Sequence, residues 1–564
     1  MNIRLIDALT MPDDPAQEAR DRAARRAALD ALGDVPPPEP LDTVGYRSAG
    51  RTLVVGSRAD ALPWAERLAA LLPVTVLVLD DDAAQDGGPV RLFPVIAARA
   101  LVLTGWLGAF EATWQARGAA PAHDRFDLVL DLGDAPRIAT HQRPHGYFVP
   151  GTDPAARAAA VDALADMIGD FEKPKYFAYK ASLCAHGRNR KTGCTACVDI
   201  CSAGAIADAG DLVAVNPYLC AGCGACTTVC PSGAMRYAYP SAAQTGTRIR
   251  AALDAYAQAG GRDPVLLIHG PEGAALLDAL DALDAVPGRV LPLGVHHAVS
   301  TGIDVWLAAL AWGAAGVAVL TTDAEAPQYA AALDAQMEVA QAIMTGLGYA
   351  GAHVRRVHAR DPGELAPALH LLPRGDVPAR RAGFHVAADK RNTLDYALEH
   401  LLREAPQPAD EIALPAGSPY GTLAVDTAAC SLCMACVGAC PAGALQDGQN
   451  APQLRFIEKN CVQCALCATT CPEDAIRLVP RLSLQPARRQ PVVLNETQPF
   501  HCIRCDKPFG TLRMVESMVA RLAGHPAFAG HLDRMRMCGD CRVIDMMMPE
   551  GEQTIHQAHE LRRR

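Results

Sequence analysis

Much that would give a 564-residue chain an obvious role is missing from this one. Residues Met1 to Asp13 hold no basic stretch followed by an apolar one, so no export signal is read there and the expected compartment is the cytoplasm. The longest apolar run, Val305 to Leu320, is shorter than the roughly 18 residues a membrane span needs. It divides instead into a helix ending near Trp312-Gly313 and a strand, Val317 to Thr322, and no membrane insertion is expected. Basic residues are in deficit, 52 Lys and Arg against 62 Asp and Glu, for a net charge of −10. That excludes a broad nucleic-acid surface, which needs clustered cations, and suits docking on a basic patch of a protein partner. No P-loop, nucleophile elbow or His-x-Glu zinc motif occurs. Gly56-Ser57-Arg58 is not a dinucleotide fingerprint. His269-Gly270-Pro271-Glu272-Gly273 carries one spaced glycine pair, best read as a turn before a helix. His296-His297 follows an expected strand, where α/β sheets often bind ligands, although packing or a surface loop is the plainer reading. No catalytic residues are identified.

Cysteine, by contrast, is abundant and patterned. There are 20, in three groups with none left over. In a reducing compartment such patterns read as metal ligands rather than disulfides. One group is Cys430, Cys433, Cys436, Cys440 and Cys461, Cys464, Cys467, Cys471, which is C-x2-C-x2-C-x3-C-P written twice. Three closely spaced thiolates wrap one cubane cluster and the fourth, before the proline, reaches the other. Cluster three is therefore assigned Cys430, Cys433, Cys436 and Cys471. Cluster four is assigned Cys461, Cys464, Cys467 and Cys440. Pro441 and Pro472 turn the chain after the ligand.

An earlier group, Cys184, Cys194, Cys197, Cys201 and Cys220, Cys223, Cys226, Cys230, repeats the pattern with departures. Nine residues separate Cys184 from Cys194 where the motif has two, and Ser202 replaces the proline. Cluster one is assigned Cys184, Cys194, Cys197 and Cys230, and cluster two Cys220, Cys223, Cys226 and Cys201. Without Cys184, cluster one would be a three-iron form or take a non-cysteine ligand. A repeated tail follows each fourth cysteine: Gly204-Ala205-Ile206, Gly233-Ala234-Met235, Gly443-Ala444-Leu445 and Asp474-Ala475-Ile476. Zinc, which is bound by cysteine pairs in fours, suits these runs poorly.

The last group, Cys502, Cys505, Cys538 and Cys541, is two C-x2-C knuckles flanking a helix-like stretch, Thr511 to Leu522. It reads as a four-thiolate site for zinc, with rubredoxin-like iron or a fifth cluster as alternatives. His501 and His531 lie nearby and are read as surface or packed residues.

Elsewhere, apolar strand-like runs at Leu53 to Gly56, Val74 to Leu79 and Phe126 to Leu132 alternate with helix-like stretches. A second series, Val265 to His269, Arg289 to Val295, Val317 to Thr322 and His353 to His358, reads as a parallel sheet with helices between. The expected fold class is multidomain α/β, plus two ferredoxin-like α+β modules with two [4Fe–4S] clusters each, and a C-terminal four-cysteine domain. The expected order is a helical segment and Pro-rich linker over 1–44, α/β over 45–172, the first module over 173–245 and α/β over 246–375. A linker over 376–424, the second module over 425–485 and the metal-binding domain over 486–564 complete it.

The two cysteine runs resemble the 4Fe–4S dicluster domain family. Phe171-Glu172-Lys173-Pro174-Lys175-Tyr176-Phe177, the stretch Leu414-Pro415 to Tyr420-Gly421, and Cys538-Gly539-Asp540-Cys541-Arg542-Val543-Ile544-Asp545-Met546 resemble larger bacterial multi-cluster ferredoxins that accompany formate dehydrogenase. Residues 262–360 are similar to the delta subunit of methyl-viologen-reducing hydrogenase, which carries electrons into heterodisulfide reductase. The likeness lies in Gly288-Arg289-Val290, Gly313-Ala314-Ala315-Gly316-Val317 and Gly346–Gly351. That family's [2Fe–2S] cysteines are absent, which implies a scaffold or docking role. The cysteine runs and the resemblances point to an electron conduit with four [4Fe–4S] clusters, with formate dehydrogenase as the partner the resemblance suggests. Arg188, Arg190 and Lys191, beside Cys184, form a candidate docking loop, with a solvated loop as the equal alternative. An oxidoreductase subunit with its own substrate or flavin site, or a metalloenzyme maturation factor, are the competing readings.

Overall fold

The computed structural model describes residues 14–79, 91–116, 120–372, 374–407, 409–449, 451–525 and 532–547. Contacts divide the chain into two compact units. One is Met1–Cys184 with Thr195–Ala409, and the other is Ala185–Cys194 with Asp410–Arg564.

Among the described residues, the first unit contains two large sheets, of seven and four strands, besides smaller two-stranded pairings. In one, the buried parallel strands Thr52–Gly56, Val74–Val78 and Leu128–Asp131 form the centre. Val95–Thr104 joins Val74–Val78 in parallel, and Phe110–Ala116 and Pro121–Phe126 extend the sheet as an antiparallel meander. These outer strands bury few residues, Ala98 and Leu103 in one and Phe126 in another, a pattern weaker than the continuous runs of the centre.

The other sheet is wholly parallel, in the order Val290–Gly294, Val265–His269, Gly316–Thr321, Val354–His358. The apolar run read from sequence is the fully buried helix Ile303–Ala311 and the strand Gly316–Thr321. No helix among the described residues is long and apolar enough to cross a membrane.

Two segments differ from their sequence reading. The N-terminal helix, Pro15–Asp34, is capped by the Asp14 carboxylate and packs on helix Ala242–Gln258. Its Arg25 pairs with Asp281 at 2.6 Å, so it belongs to the second α/β layer although it precedes the first in sequence. The expected linker over 376–424 holds the helix Lys390–Arg403, capped by Asp389, with Leu394, Leu398 and Leu401 buried against Ile303–Ala311. An apolar stripe at i, i+4 and i+7 is a helical signature, and it makes this segment part of the core.

Both cysteine regions share one plan. A strand before the first cysteine pairs antiparallel with the strand after the last: Phe177–Tyr179 with Met235–Tyr237, and Gly421–Val425 with Ile476–Ser483. A hairpin lies between the two cysteine runs of each: Ile206–Ala209 with Leu212–Val215, and Leu445–Asp447 with Gln453–Phe456. In the second unit, Thr511 Oγ1 donates to the Ser431 carbonyl at 3.0 Å. Arg513 reaches the Thr427 carbonyl and Arg521 the Glu473 carboxylate, tying the C-terminal part to the second cysteine region.

Candidate iron–sulfur and metal centres

Each cysteine run is built from a loop and a short helix. The third cysteine of each lies on such a helix: Ala196–Asp199, Ala225–Thr228, Ala435–Ala439 and Leu466–Thr470. In three runs, left-handed residues stand on both sides of the middle cysteine. They are Gly222 and Gly224 (φ 80° and 78°), Leu432 and Met434 (56° and 59°), and Gln463 and Ala465 (54° and 65°). Alternating handedness curls the loop so that successive backbone N–H groups point inward, forming a concavity for a negatively charged group. The side chains of Leu432, Met434, Gln463 and Ala465 make this conformation costly, and such strain clusters at functional sites.

The tail after each fourth cysteine has a backbone reason. Gly204, Gly233, Gly443 and Asp474 all take positive φ, at 60°, 71°, 59° and 49°. The turn aims a following amide at the thiol: Ala205 N–H donates to Cys201 Sγ at 3.2 Å, Met235 N–H to Cys230 Sγ at 3.4 Å, and Ala475 N–H to Cys471 Sγ at 3.4 Å. The apolar residue of each tail then opens a strand, at Ile206, Met235, Leu445 and Ile476.

The thiols fall into neighbourhoods. Cys220, Cys223, Cys226 and Cys201 lie close enough to repel one another once ionised, and burial pushes Cys220 up to about 11. Burial, then Cys430, Cys433 and Cys471, push Cys436 up to about 12. Burial also raises Cys467, with Cys461, Cys464, Cys436 and Cys440 around it. Cys184, Cys197 and Cys230 share one apolar cluster, which also takes in Cys201, Cys220 and Cys226. Thiols so placed ionise together only around a cationic group. The donor set therefore fits iron–sulfur cores, whose sulfurs sit further apart than those of a single ion's ligands.

Cys194 departs from the pattern. It closes the insertion read from sequence, which is a hairpin pairing Gly187–Arg188 with Lys191–Thr192 across the left-handed Asn189 and Arg190. Cys194 N–H donates to the Ala185 carbonyl at 2.9 Å, and buried His186 holds the Cys194 carbonyl through Nδ1 at 3.0 Å. Gly193 and Thr195 lack the left-handed pair of the other runs. Within the second unit the hairpin packs on helix Leu466–Thr470, Gly193 abuts Leu466, and Cys194 adds to the charge felt by Cys464.

The Cys220–Cys226 loop is clamped from both α/β layers. Lys173 Nζ donates to the carbonyls of Tyr218 at 2.9 Å and Cys220 at 2.7 Å. Lys390 Nζ reaches the carbonyls of Thr227, Thr228 and Cys230 at 3.2, 2.5 and 3.3 Å. The carboxyl edge of the parallel sheet, the usual ligand crevice of such folds, meets this loop. A Cβ on Gly224 would lie 2.8 Å from the Ser300 Cα, and one on Gly302 3.0 Å from Thr228. His296 stacks on Tyr176 at 4.7 Å and bonds the Ala221 backbone. His297 lies with Nε2 3.2 Å from Gln142 Nε2 and receives Val299 N–H on Nδ1. His296 braces the loop, and His297 packs among Gln142, Val299 and Tyr329. The two lysine clamps were not read from sequence, although Lys173, Tyr176 and the His296-His297 pair lay in segments singled out there.

Cys502, Cys505, Cys538 and Cys541 converge with all four sulfurs within 4.8 Å of one another. Tetrahedral thiolates at about 2.3 Å from one ion lie roughly 3.8 Å apart, and Cys505 Sγ and Cys538 Sγ are 3.7 Å apart. The site fits a single ion better than a cluster. Burial raises the Cys502 thiol, but N–H groups of Cys538, Arg504 and Cys505 outweigh it and hold it down at about 6, suited to a ligand thiolate. His501 turns away to the Asp506 carbonyl at 2.9 Å, and His531 lies outside the described residues. Among the described residues no other three His, Cys, Asp or Glu side chains converge so tightly.

Comparison with known families agrees with this geometry. Residues 429–476 match the 4Fe-4S dicluster domain, and residues 212–235 match the 4Fe-4S binding domain. No curated protein matches the chain. These are iron–sulfur-binding domains of ferredoxin type, and they support an electron-transfer role.

Proposed function

We propose that the protein relays single electrons through four [4Fe–4S] clusters, two in each cysteine region, between a donor redox enzyme and an acceptor. The observation that carries this reading is the left-handed pair around Cys223, Cys433 and Cys464, the same anion-cradling loop in three runs of different sequence. Bound cubanes supply one-electron chemistry over a wide range of potentials; the chain's thiols hold them, and its amides, hydroxyls and burial set those potentials. The C-terminal four-thiol site takes zinc as a structural ion. Cys433 is exposed, which suits electron entry or exit at cluster three. The partner proposed from resemblance is formate dehydrogenase, and the compartment is a reducing one such as the cytoplasm.

Iron, sulfide and zinc analysis of anaerobically purified protein, joined to EPR of the reduced form, tests the reading. About sixteen irons and about one zinc per chain are expected. A count near eight irons removes one region from the relay. Stoichiometric bound flavin would replace the relay with a reductase that has its own substrate site.

A further inference from the structure

Tyr329 stands on the first turn of helix Pro327–Gly346, in the second α/β layer, and only 1% of it is exposed. Its hydroxyl lies 2.5 Å from Ser202 Oγ, itself buried. The same hydroxyl lies beside Cys223 Sγ, near enough for each group to influence the other's ionisation. His297 packs edge-on against the ring at 5.5 Å and holds its direction.

The protons of this trio can be placed. A ligand thiolate has none to give, so the phenol must donate to Cys223 Sγ. Ser202 has a proton of its own and donates to the phenolic oxygen. Ser202 is also the residue that stands where the ferredoxin motif carries proline. A proline there would have no hydroxyl to offer. The departure in the motif and the buried tyrosine, 127 residues apart, are thus two halves of one device.

We infer that the second α/β layer acts as a tuning cap on cluster two, with Tyr329 donating to Cys223 Sγ and Ser202 orienting and polarising Tyr329. The inference rests on the proposed iron–sulfur reading. Adding an electron makes the cluster more negative, and a donated proton stabilises that state more than the oxidised one. The Tyr329 hydroxyl therefore raises the potential of cluster two relative to an uncapped cubane. Tyr329 is a positioning and tuning residue, not a ligand.

The test uses the full-length protein, purified anaerobically, as wild type, Tyr329→Phe and Ser202→Ala. Iron content, an EPR-monitored redox titration and deuteron ENDOR after exchange into D2O are measured on each. Expected are unchanged iron, a downward shift of one midpoint potential in Tyr329→Phe with the others unmoved, and a smaller shift of the same one in Ser202→Ala. One exchangeable deuteron coupling is lost in Tyr329→Phe. Full iron with unshifted potentials in both variants overturns the inference and leaves the relay intact. If Tyr329→Phe loses iron, Ser202→Ala decides, and an unshifted potential there overturns the inference. Wild-type protein without iron overturns the relay and the tuning role together.

Discussion

A single backbone torsion recurs after every fourth cysteine. Gly204, Gly233, Gly443 and Asp474 all take positive φ, which glycine adopts freely and aspartate tolerates. A Cβ at Gly443 meets nothing within 4 Å, so Gly443→Ala carries the torsional cost alone, about 1 kcal/mol in chemical denaturation. Gly222 is a harsher case, because its Cβ would sit 2.7 Å from the Tyr176 ring. Gly222→Val closes the loop against its neighbour, and iron analysis should fall by about four per chain, the content of one cubane. The small-or-acidic pattern was visible in the sequence as a repeat, and the torsion explains it. Tyr329 was invisible there, since one tyrosine at a helix start carries no periodicity and its partners, Ser202 and Cys223, are over 100 residues away. His297 offers a pH test. Burial, with repulsion from His296 and His141, holds it down at about 4. Unfolded, the ring takes a proton near about 6.5. Between those values the unfolded chain binds more protons, so stability falls as pH falls. From pH 7 to 5.5 the loss is about 1 kcal/mol. His297→Gln flattens that slope in thermal melts.

Among the elements, those with strong periodicity were legible and those defined by their partners were not. The parallel strands Val265–His269 and Gly316–Thr321 are buried on both faces and read directly from their apolar runs. The meander Val95–Thr104, Phe110–Ala116 and Pro121–Phe126 mixes exposed and buried positions, and only its end near Phe126 was anticipated. Helix Lys390–Arg403 falls within the segment expected as a linker, although Leu394, Leu398 and Leu401 mark one face. Its Lys390 gathers three carbonyls at the end of the Cys226 helix. Charged hydrogen bonds contribute about 1.5–3 kcal/mol each, and Lys390→Met should lower stability by roughly that amount and make the first cysteine region shed iron before the second. The four-thiol site is tied to the second region through Thr511 and Arg513. Removing its ion with Cys541→Ser should raise hydrogen exchange over residues 427–436, while amides of 212–235 keep their protection.

For the molecule as a whole, the formal charge of −10 counts every cysteine as neutral. On the proposed loading, sixteen thiolates on four cubane cores and four on one zinc would bring the protein to about −20, because each filled site keeps a net negative charge. The loaded form should run further toward the anode on native gels than metal-free protein. Its association with a basic partner should slow steeply between 50 and 300 mM salt. The legible part at this scale was the number and spacing of the cysteine runs. The membership of the insertion Ala185–Cys194 in the compact unit formed with Asp410–Arg564 was not read there. That membership has a consequence for synthesis. Gly193 leaves the ribosome long before its neighbour Leu466 exists. At about 5–20 residues per second the interval is roughly 15–55 s. Through that interval the hairpin, with Cys194 at its foot, waits beside a nascent chain without its packing surface. Packing of the hairpin is thereby made dependent on the last third of translation, and a stalled or truncated product would carry it uncovered.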